Sequence, residues 1–235
     1  MARAKKFYRR RGKKAVSKMS VKDLAGMMKQ VALKQCETKK SNETNENQQL
    51  YHNVTRYHGN LFWTTTGSSN PDGFDEDSRN RVGDSILARG AKFKFWLSNK
   101  IDRPNVMYKV FIYLYNTELV AVGDSDFWRG TDGDGATMNR MIDAPNPNRI
   151  KILKSFTVRS KSNFSIPENG HEHSHLLETY VSFGDRKVKY RVDNEATPQT
   201  WDLGFAVVCY DAWGTLVSDN IASYAYSHTF YYKDP

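Results

Sequence analysis

The stretch Lys92-Phe93-Lys94-Phe95-Trp96-Leu97 alternates strictly between two sets of side chains. In an extended strand, Phe93, Phe95 and Leu97 share one face, while the two lysines and Trp96 share the other. A period of two is typical of a β-strand that buries one face and turns the other toward solvent. This stretch therefore predicts a half-buried strand, and it sets the class of fold.

Strand-like segments lie on both sides of this stretch along the chain. Val106–Tyr115 is rich in β-branched and aromatic residues, which favour strands. Lys187–Val192 alternates again, so that Lys187, Lys189 and Arg191 face one way. The other predicted strands are Asn60–Thr66, Arg149–Arg159, Leu203–Tyr210 and Ile221–Tyr232. Ser85–Phe93 is expected to belong with the Lys92 strand, with a bend at Gly90.

The segments between these strands are rich in Gly, Pro, Asp and Asn, which favour turns and loops. The main loops are predicted at Gly67–Asp84, Asn116–Pro147 and Pro167–His175. No helical pattern alternates with the strands, so a parallel sheet built from βαβ units is not expected. Seven or eight strands joined by long loops indicate an all-β sandwich or barrel.

The positive charge of the chain is concentrated at its N-terminus. Residues 1–40 carry fourteen Lys and Arg against two acidic residues, whereas residues 41–235 carry 21 basic and 24 acidic residues. We expect residues 1–19 to form a disordered arm, because they hold too few apolar groups to offset the entropy of ordering. Its predicted nucleic-acid-binding residues are Arg3, Lys5, Lys6, Arg9, Arg10, Arg11, Lys13, Lys14 and Lys18.

Two segments connect this arm to the strands. Residues 20–35 predict an amphipathic helix, with Ser20 as its N-cap and Asp23 as the capping-box partner. Its apolar stripe comprises Val21, Leu24, Met28 and Val31. Residues 36–49 are polar throughout and predict a linker. The β domain is therefore placed at residues 50–235.

Several classes of function are disfavoured by the sequence. No apolar run is long enough for a transmembrane helix, so no membrane partner is expected. Cys36 and Cys209 are the two cysteines, which is too few for a disulfide framework. The sequence contains no nucleophile elbow and no phosphate-binding Gly-Lys-Ser/Thr loop, so we expect no catalytic residues and no cofactor.

Two groups of residues leave metal binding open as an alternative. His171, His173 and His175 would share one face of an extended strand, and three imidazoles can bind zinc, although an exposed loop or strand end explains them more simply. Acidic loops could hold calcium between subunits, although they lack the full spacing of a calcium loop. These loops are Asp72–Asp77, Asp124–Asp126 and Asp132–Gly135.

The order of these elements resembles the capsid proteins of small circular Rep-encoding single-stranded DNA viruses. It is also similar to the coat proteins of satellite RNA viruses of plants. The resemblance lies in the arm sequence Lys5–Lys14, in Asn80-Arg81-Val82-Gly83-Asp84-Ser85-Ile86 ahead of the Lys92 strand, and in Asp102–Tyr108. It extends to Arg149-Ile150-Lys151-Ile152-Leu153-Lys154 and to the aromatic last strand, Tyr224–Tyr232.

The resemblance implies a single eight-stranded antiparallel jelly roll that assembles into a small icosahedral shell. It implies that the protein is a component of the virion, with an arm that packages a single-stranded genome, DNA more than RNA. In a virus that replicates in the nucleus, Lys5–Lys14 would also bind a nuclear import receptor. Lys187, Lys189 and Arg191 are predicted to extend the nucleic-acid-binding surface, with a solvated strand face as the alternative.

Two other classes of protein remain open at this point. The first is a non-viral nucleic-acid-binding module with a basic tail, which would form no shell. The second is a jelly-roll enzyme or lectin that uses the histidine cluster. Trp63, Phe127 and Trp128 are candidates for contacts between subunits, although core positions fit them equally well.

Overall fold

A computed structural model describes the chain over residues 21–36, 38–66, 80–81, 83–100, 102–103, 105–119, 122–130, 139–160, 174–191, 196–211 and 215–234. The domain is all-β, with eight antiparallel strands in two sheets. These strands are β1 (Thr38–Tyr51), β2 (Thr55–His58), β5 (Ser85–Asn99), β6 (Val106–Asn116), β7 (Ile150–Arg159), β8 (Ser174–Lys189), β9 (Trp201–Asp211) and β10 (Asn220–Lys233).

Each sheet draws its four strands from both halves of the chain. The first sheet has the order β1-β10-β5-β8, and the second sheet has the order β2-β9-β6-β7. Two two-residue strands, β3 (Thr65–Thr66) and β4 (Asn80–Arg81), form a separate parallel pair. The first long strand therefore pairs with the last one, so the fold closes only when both ends of the domain are present.

The main core lies between the two sheets. Phe93, Phe95 and Leu97 are fully buried in it, as their alternation predicts. The second sheet contributes the alternate residues of β6 and β9, among them Ile112 and Phe205. Phe205 meets Phe95 edge to face, with the ring centroids 5.0 Å apart. Aromatic packing of this kind adds to the stabilisation that comes from burial alone.

A second apolar cluster lies on the outer side of the second sheet. Strands β6 and β9 present Phe111, Tyr113, Ala206 and other side chains there, and residues 122–130 and 139–150 cover them. This covering segment includes the short helix α2 (Asp124–Phe127). Phe127 and Trp128 are buried in this cluster, whereas Trp63 is partly exposed. Of the three aromatic residues predicted for subunit contacts or core, two are therefore core residues.

The prediction of a polar linker at residues 36–49 is wrong, because Thr38–Tyr51 forms strand β1. This strand pairs with β10 from Thr38 opposite Lys233 to Tyr51 opposite Asn220. It is an edge strand, and pairing through backbone groups needs no apolar side chains. Ser41 and Leu50 are its buried residues. The β domain therefore begins near residue 38 and not at residue 50.

Two other boundaries differ from those predicted. The strand expected at Asn60–Thr66 is reduced to the short β3, and the strand that joins the second sheet is β2, slightly earlier in the chain. The loop expected to reach His175 ends before Ser174, where β8 begins. Strand β8 is sixteen residues long, and an irregularity at Gly184 and Asp185 interrupts its alternation, so the sequence pattern did not reveal its length.

Helix α1 (Val21–Gln35) confirms the helix predicted at residues 20–35, and it is a unit separate from the strands. Its exposed apolar side chains are Val21, Leu24, Met27, Met28 and Val31. Neither helix in the described part of the chain is long and apolar enough to cross a membrane. Cys36 and Cys209 are both free thiols.

Candidate nucleic-acid interface

The outer side of the first sheet, which we term the open face, carries a band of polar and basic side chains. Because Phe93, Phe95 and Leu97 point into the core, the intervening Lys92, Lys94 and Trp96 point outward. The strand register extends this face sideways in rows. One row runs Asn42, Thr229, Lys92, Tyr180, and the next runs Thr44, Ser227, Lys94, Glu178.

Lys92 and Lys94 lie at the centre of the open face and share one carboxylate. Their Nζ atoms are 3.5 and 3.3 Å from the Glu178 carboxylate oxygens. The hydrogen bond from Lys94 holds the pKa of Glu178 below its ordinary value, so this carboxylate stays ionised at neutral pH. All three side chains are more than 40% exposed, and such ion pairs contribute little to stability. A phosphate group can therefore replace Glu178 at either lysine.

Strand β8 changes its facing at an irregularity. Ser182 opposes Gly90, but Arg186 opposes Ala88, and Gly184 and Asp185 between them adopt positive φ angles of 63° and 59°. Val181 before this bulge and Val188 after it both point inward, so outward positions change from even to odd numbers. Beyond the bulge, the odd-numbered residues of β8 therefore lie on the open face.

The change at the bulge determines where the predicted basic residues of this strand point. Lys187 and Lys189 are exposed on the open face, opposite Leu87 and Ser85 of β5. Arg191 is also exposed, but it lies past the end of β8. Val188 and Tyr190 are buried, as the predicted alternation requires. The structure thus brings Lys187 and Lys189 onto one face with Lys92 and Lys94.

Two further cations of the open face were missed in the sequence. Lys40 of β1 opposes Tyr231, and its neighbour Ser41 points inward, so Lys40 points outward. Arg89 of β5 reaches across β10 to β1, where its Nη1 donates to Thr38 Oγ1 at 3.2 Å. Residues 38–44 are all polar, so no alternation in the sequence could have placed Lys40. Arg89 sits in a bulge of β5, which no period reveals.

Aromatic rings flank the central lysines on the open face. Trp96 is 50% exposed and donates from Nε1 to Ser98 Oγ at 3.1 Å. Tyr180 is 46% exposed, and its hydroxyl occupies the space where a Cβ at Gly90 would stand. Its ring centroid is 6.3 Å from that of Tyr231. The face therefore combines cations with flat apolar surfaces.

The nine arm cations between Arg3 and Lys18 lie outside the described residues. So do His171, His173, Asp72–Asp77 and Asp132–Gly135. The chain enters the first sheet at Thr38, the first residue of β1.

The outer side of the second sheet, which we term the covered face, has a different construction. Arg140 is almost fully buried, with its guanidinium nitrogens 2.7 Å from Asp143 and 3.2 Å from Asp124. The same guanidinium lies 5.2 Å from the ring centroid of Trp128, whose Nε1 donates to Thr55 Oγ1 at 3.0 Å. These ion pairs join the two parts of the covering segment, and the Trp128 hydrogen bond ties that segment to β2, so these charges are not available to a ligand.

Asp202 is the most deeply buried carboxylate of this region. It accepts hydrogen bonds from the backbone N–H groups of Phe62 and Leu203, at 3.0 and 2.6 Å. The Tyr115 hydroxyl lies 3.4 Å from its second oxygen. Burial raises the pKa of Asp202 to about 6. It ties the loop after β2 to β9, and it faces backbone groups and a phenol, not a reactive centre.

Arg81, in the segment that carries part of the family resemblance, is also structural. Its guanidinium donates to the carbonyl oxygen of Thr64 at 2.6 Å and to that of Gly83 at 3.0 Å. It lies 3.8 Å from the centroid of the Tyr190 ring. Arg81 thus holds the β4 segment against the loop after β2.

The metal alternatives gain no support from the described residues. No group of three or more His, Cys, Asp or Glu side chains in that part of the chain is arranged to hold a metal ion. Asp124 accepts from the Tyr57 hydroxyl and from Arg140, and Asp126 pairs with Arg149 at 2.5 Å. Both carboxylates of this predicted calcium loop are therefore engaged by the protein itself.

Comparison with known protein families and with curated protein sequences finds no match to this chain. The chemistry of its own surfaces is therefore what indicates a function.

Proposed function

We propose that this protein is the coat protein of a small virus with a single-stranded genome. In this proposal the β domains associate into a closed icosahedral shell, and the basic arms hold the genome inside it. The observation that carries the proposal is the joining of a strongly basic arm to an eight-stranded sandwich of wrapped strand order. The protein is then a component of the virion, and assembly takes place in the host nucleus.

The strand order supports a jelly roll as the finer description of the fold. When the two-residue strands are set aside, the eight long strands fall into sheets with the orders 1-8-3-6 and 2-7-4-5. Consecutive long strands therefore lie in opposite sheets, except for β6 and β7, which pair within the second sheet. A long antiparallel ribbon of strand pairs that folds over on itself produces this order. Jelly rolls of eight strands are common in viral shells and in lectins.

The division of charge supports a shell with an internal arm. The region from residue 41 onward has 21 basic and 24 acidic residues, so it is close to neutral. Strongly like-charged domains would repel one another in a dense shell, and a near-neutral domain avoids this cost. The arm cations bind phosphates without reading sequence, which suits the packaging of a whole genome.

The arm also makes the proposal quantitative. If its nine cations neutralise nine phosphates of a single strand, the logarithm of the binding constant falls by about 6 per decade of salt. A rise from about 0.15 to 1 M salt then weakens binding by about five orders of magnitude. Binding that does not respond to salt would contradict an arm that acts through charge.

The experiment that tests the proposal is electron microscopy of the purified full chain, together with light scattering and ultraviolet absorbance. We expect uniform closed particles that contain nuclease-protected nucleic acid. A variant with all nine arm cations replaced by Gln keeps the length of the arm. It should retain the folded β domain, as seen by circular dichroism, and lose the nucleic acid.

Two results would contradict the proposal. A wild-type chain that stays monomeric at low and high salt while binding nucleic acid would indicate the non-viral binding module with a basic tail. A variant without arm charge that packages as much nucleic acid as wild type would remove the arm from the mechanism. Digestion of the packaged material with DNase or RNase then identifies the genome type.

A further inference from the structure

We propose that the open face binds single-stranded nucleic acid by stacking bases on Trp96 and Tyr180 while Lys92 and Lys94 hold the intervening phosphates. The proposal deepens the proposed function, because its ligand is the nucleic acid that the arm also holds. It differs in mechanism: the arm acts through charge alone, whereas the open face also uses aromatic surface and therefore distinguishes unpaired from paired bases.

The arrangement of rings and cations fits a strand that runs along β5. Trp96 and Lys92 are four residues apart on one strand, and Tyr180 is the direct neighbour of Lys92 on β8. At a rise of about 3.4 Å per residue, the backbone positions of Trp96 and Tyr180 are about 14 Å apart along the strand direction. Lys94 lies between them, and Lys92 lies beside Tyr180. Two separate bases can therefore stack on the rings while the backbone passes over the amino groups.

The environment of each ring leaves it available for stacking. Trp96 lies between Leu176 on β8 and Ala225 on β10, and its Nε1 is engaged by Ser98, which fixes the ring on the sheet. Leu176 is 57% exposed and widens the apolar platform. The Tyr180 ring lies across the bare backbone of Gly90. Aromatic rings held on a basic surface are the usual elements of single-strand binding.

A single-stranded polyanion suits this face better than a second copy of the chain does. Contacts between protein copies are depleted in lysine at their centre, whereas this face has Lys92 and Lys94 at its centre. Two such faces pressed together would bring these cations into contact. Duplex nucleic acid can satisfy the lysines but keeps its bases stacked inside, so it cannot use the rings.

The test measures binding of the full chain to a labelled thymidine oligonucleotide of about 16 nucleotides, and to the matching duplex. Protein is kept dilute, below the onset of light scattering, so that assembly does not compete. Trp96→Leu should weaken single-strand binding about 5- to 100-fold and leave duplex binding unchanged. Trp201→Leu, at a partly exposed tryptophan of the second sheet, is the matched control and should bind as wild type does.

Two further measurements separate stacking from charge. The ratio of wild-type to Trp96→Leu affinity should be the same at about 0.15 and 0.5 M salt, because stacking releases no counterions. Trp96→Phe should retain most of the affinity, since phenylalanine still stacks. It should nevertheless lose the quenching of tryptophan fluorescence that the oligonucleotide causes in wild type and in Trp201→Phe.

Three outcomes would overturn the inference. Equal affinity of wild type and Trp96→Leu removes the ring from binding. An equal loss on single strand and duplex removes the stacking. A Trp96→Leu variant with unchanged affinity but a shifted onset of light scattering shows that a second copy covers the face. Failure of the wild type to form shells would reject the coat-protein proposal and leave these affinity ratios measurable.

Discussion

The two outer faces of the sandwich are each formed by four strands, but only one of them is covered by another part of the domain. On the covered face, residues 122–130 and 139–150 bury Phe127, Trp128 and Arg140 against β6 and β9. On the open face, Trp96 and Lys94 remain accessible. A tryptophan and a basic side chain are thus buried in the fold on the covered face, whereas the same two types of residue are exposed to solvent on the open face.

This contrast indicates which residues can change without loss of the fold. A buried cation needs partners in place, because an uncompensated charge in the interior is costly. An exposed cation is solvated in the folded and the unfolded state, so its removal changes stability little. Function on this molecule should therefore be sought on the open face, and stability on the covered face.

The largest expected effect comes from a pair of tryptophan substitutions. Trp128→Ala should lower the free energy of unfolding by about 3–5 kcal/mol, because it empties a fully buried site and removes the hydrogen bond to Thr55. Trp96→Ala should lower it by less than about 1 kcal/mol. Urea denaturation of both variants checks the difference. Equal losses would mean that the open face is as tightly packed as the covered one.

Arg140→Met should lower the free energy of unfolding by about 3 kcal/mol, because it leaves the charge of the buried Asp143 carboxylate without its cationic partner. Arg149→Met is the matched control. Arg149 pairs with Asp126 in the same segment, but its side chain is half exposed, and we expect a loss of about 0.5 kcal/mol. The same urea titration measures both. If the control lost as much as Arg140→Met, burial would not be the cause.

Asp202 gives the covered face a pH dependence. Its folded pKa of about 6 lies above the ordinary 3.8, so between these values the folded state holds a proton that the unfolded state has released. Stability therefore falls as pH rises through this window, and the full cost is present above about pH 6. Asp202→Asn lacks this titration.

Between about pH 4 and pH 7, the free energy of unfolding of Asp202→Asn should rise by about 2–3 kcal/mol relative to that of wild type. Urea denaturation at several pH values gives the two stability curves. Other titrating groups contribute equally to both, so the difference isolates this carboxyl. Parallel curves would show that the Asp202 carboxyl has the same pKa in the folded and the unfolded state.

The smallest expected effect is on the open face. Glu178→Gln frees Lys92 and Lys94 from their shared carboxylate and should tighten single-strand binding about two- to five-fold. Glu118→Gln, at an exposed carboxylate after β6, should leave binding unchanged. Fluorescence anisotropy with a labelled oligonucleotide measures both. Weaker binding by Glu178→Gln would mean that the ion pairs position the lysines for the ligand.

The sequence predicted the parts of this fold in which side chains differ between faces. Phe93, Phe95 and Leu97 alternate with polar neighbours, and their burial follows directly. Strand β1 escaped prediction because an edge strand is held mainly by backbone hydrogen bonds. The covered face was missed because Asn116–Pro147 has the composition of a loop even where it packs.

The candidate site was predictable to a similar degree. Lys187 and Lys189 were placed on one face by alternation. Their position on the same face as Lys92 and Lys94 depends on the strand order and on the bulge at Gly184. Neither of these can be read from the alternation of residues along the sequence. The zinc and calcium alternatives could not be resolved from composition, because ion pairs such as Arg140–Asp124 form only in three dimensions.

The position of β1 has a mechanical consequence. The basic arm precedes Thr38, and β1 is joined to β10 by twelve paired residues from Thr38 to Tyr51. Tension along the strand, applied by nucleic acid that grips the arm, would load many of these hydrogen bonds together instead of peeling them one at a time. Under the proposed function, strand β1 would then resist unravelling when packaged nucleic acid pulls on the chain from its N-terminal side.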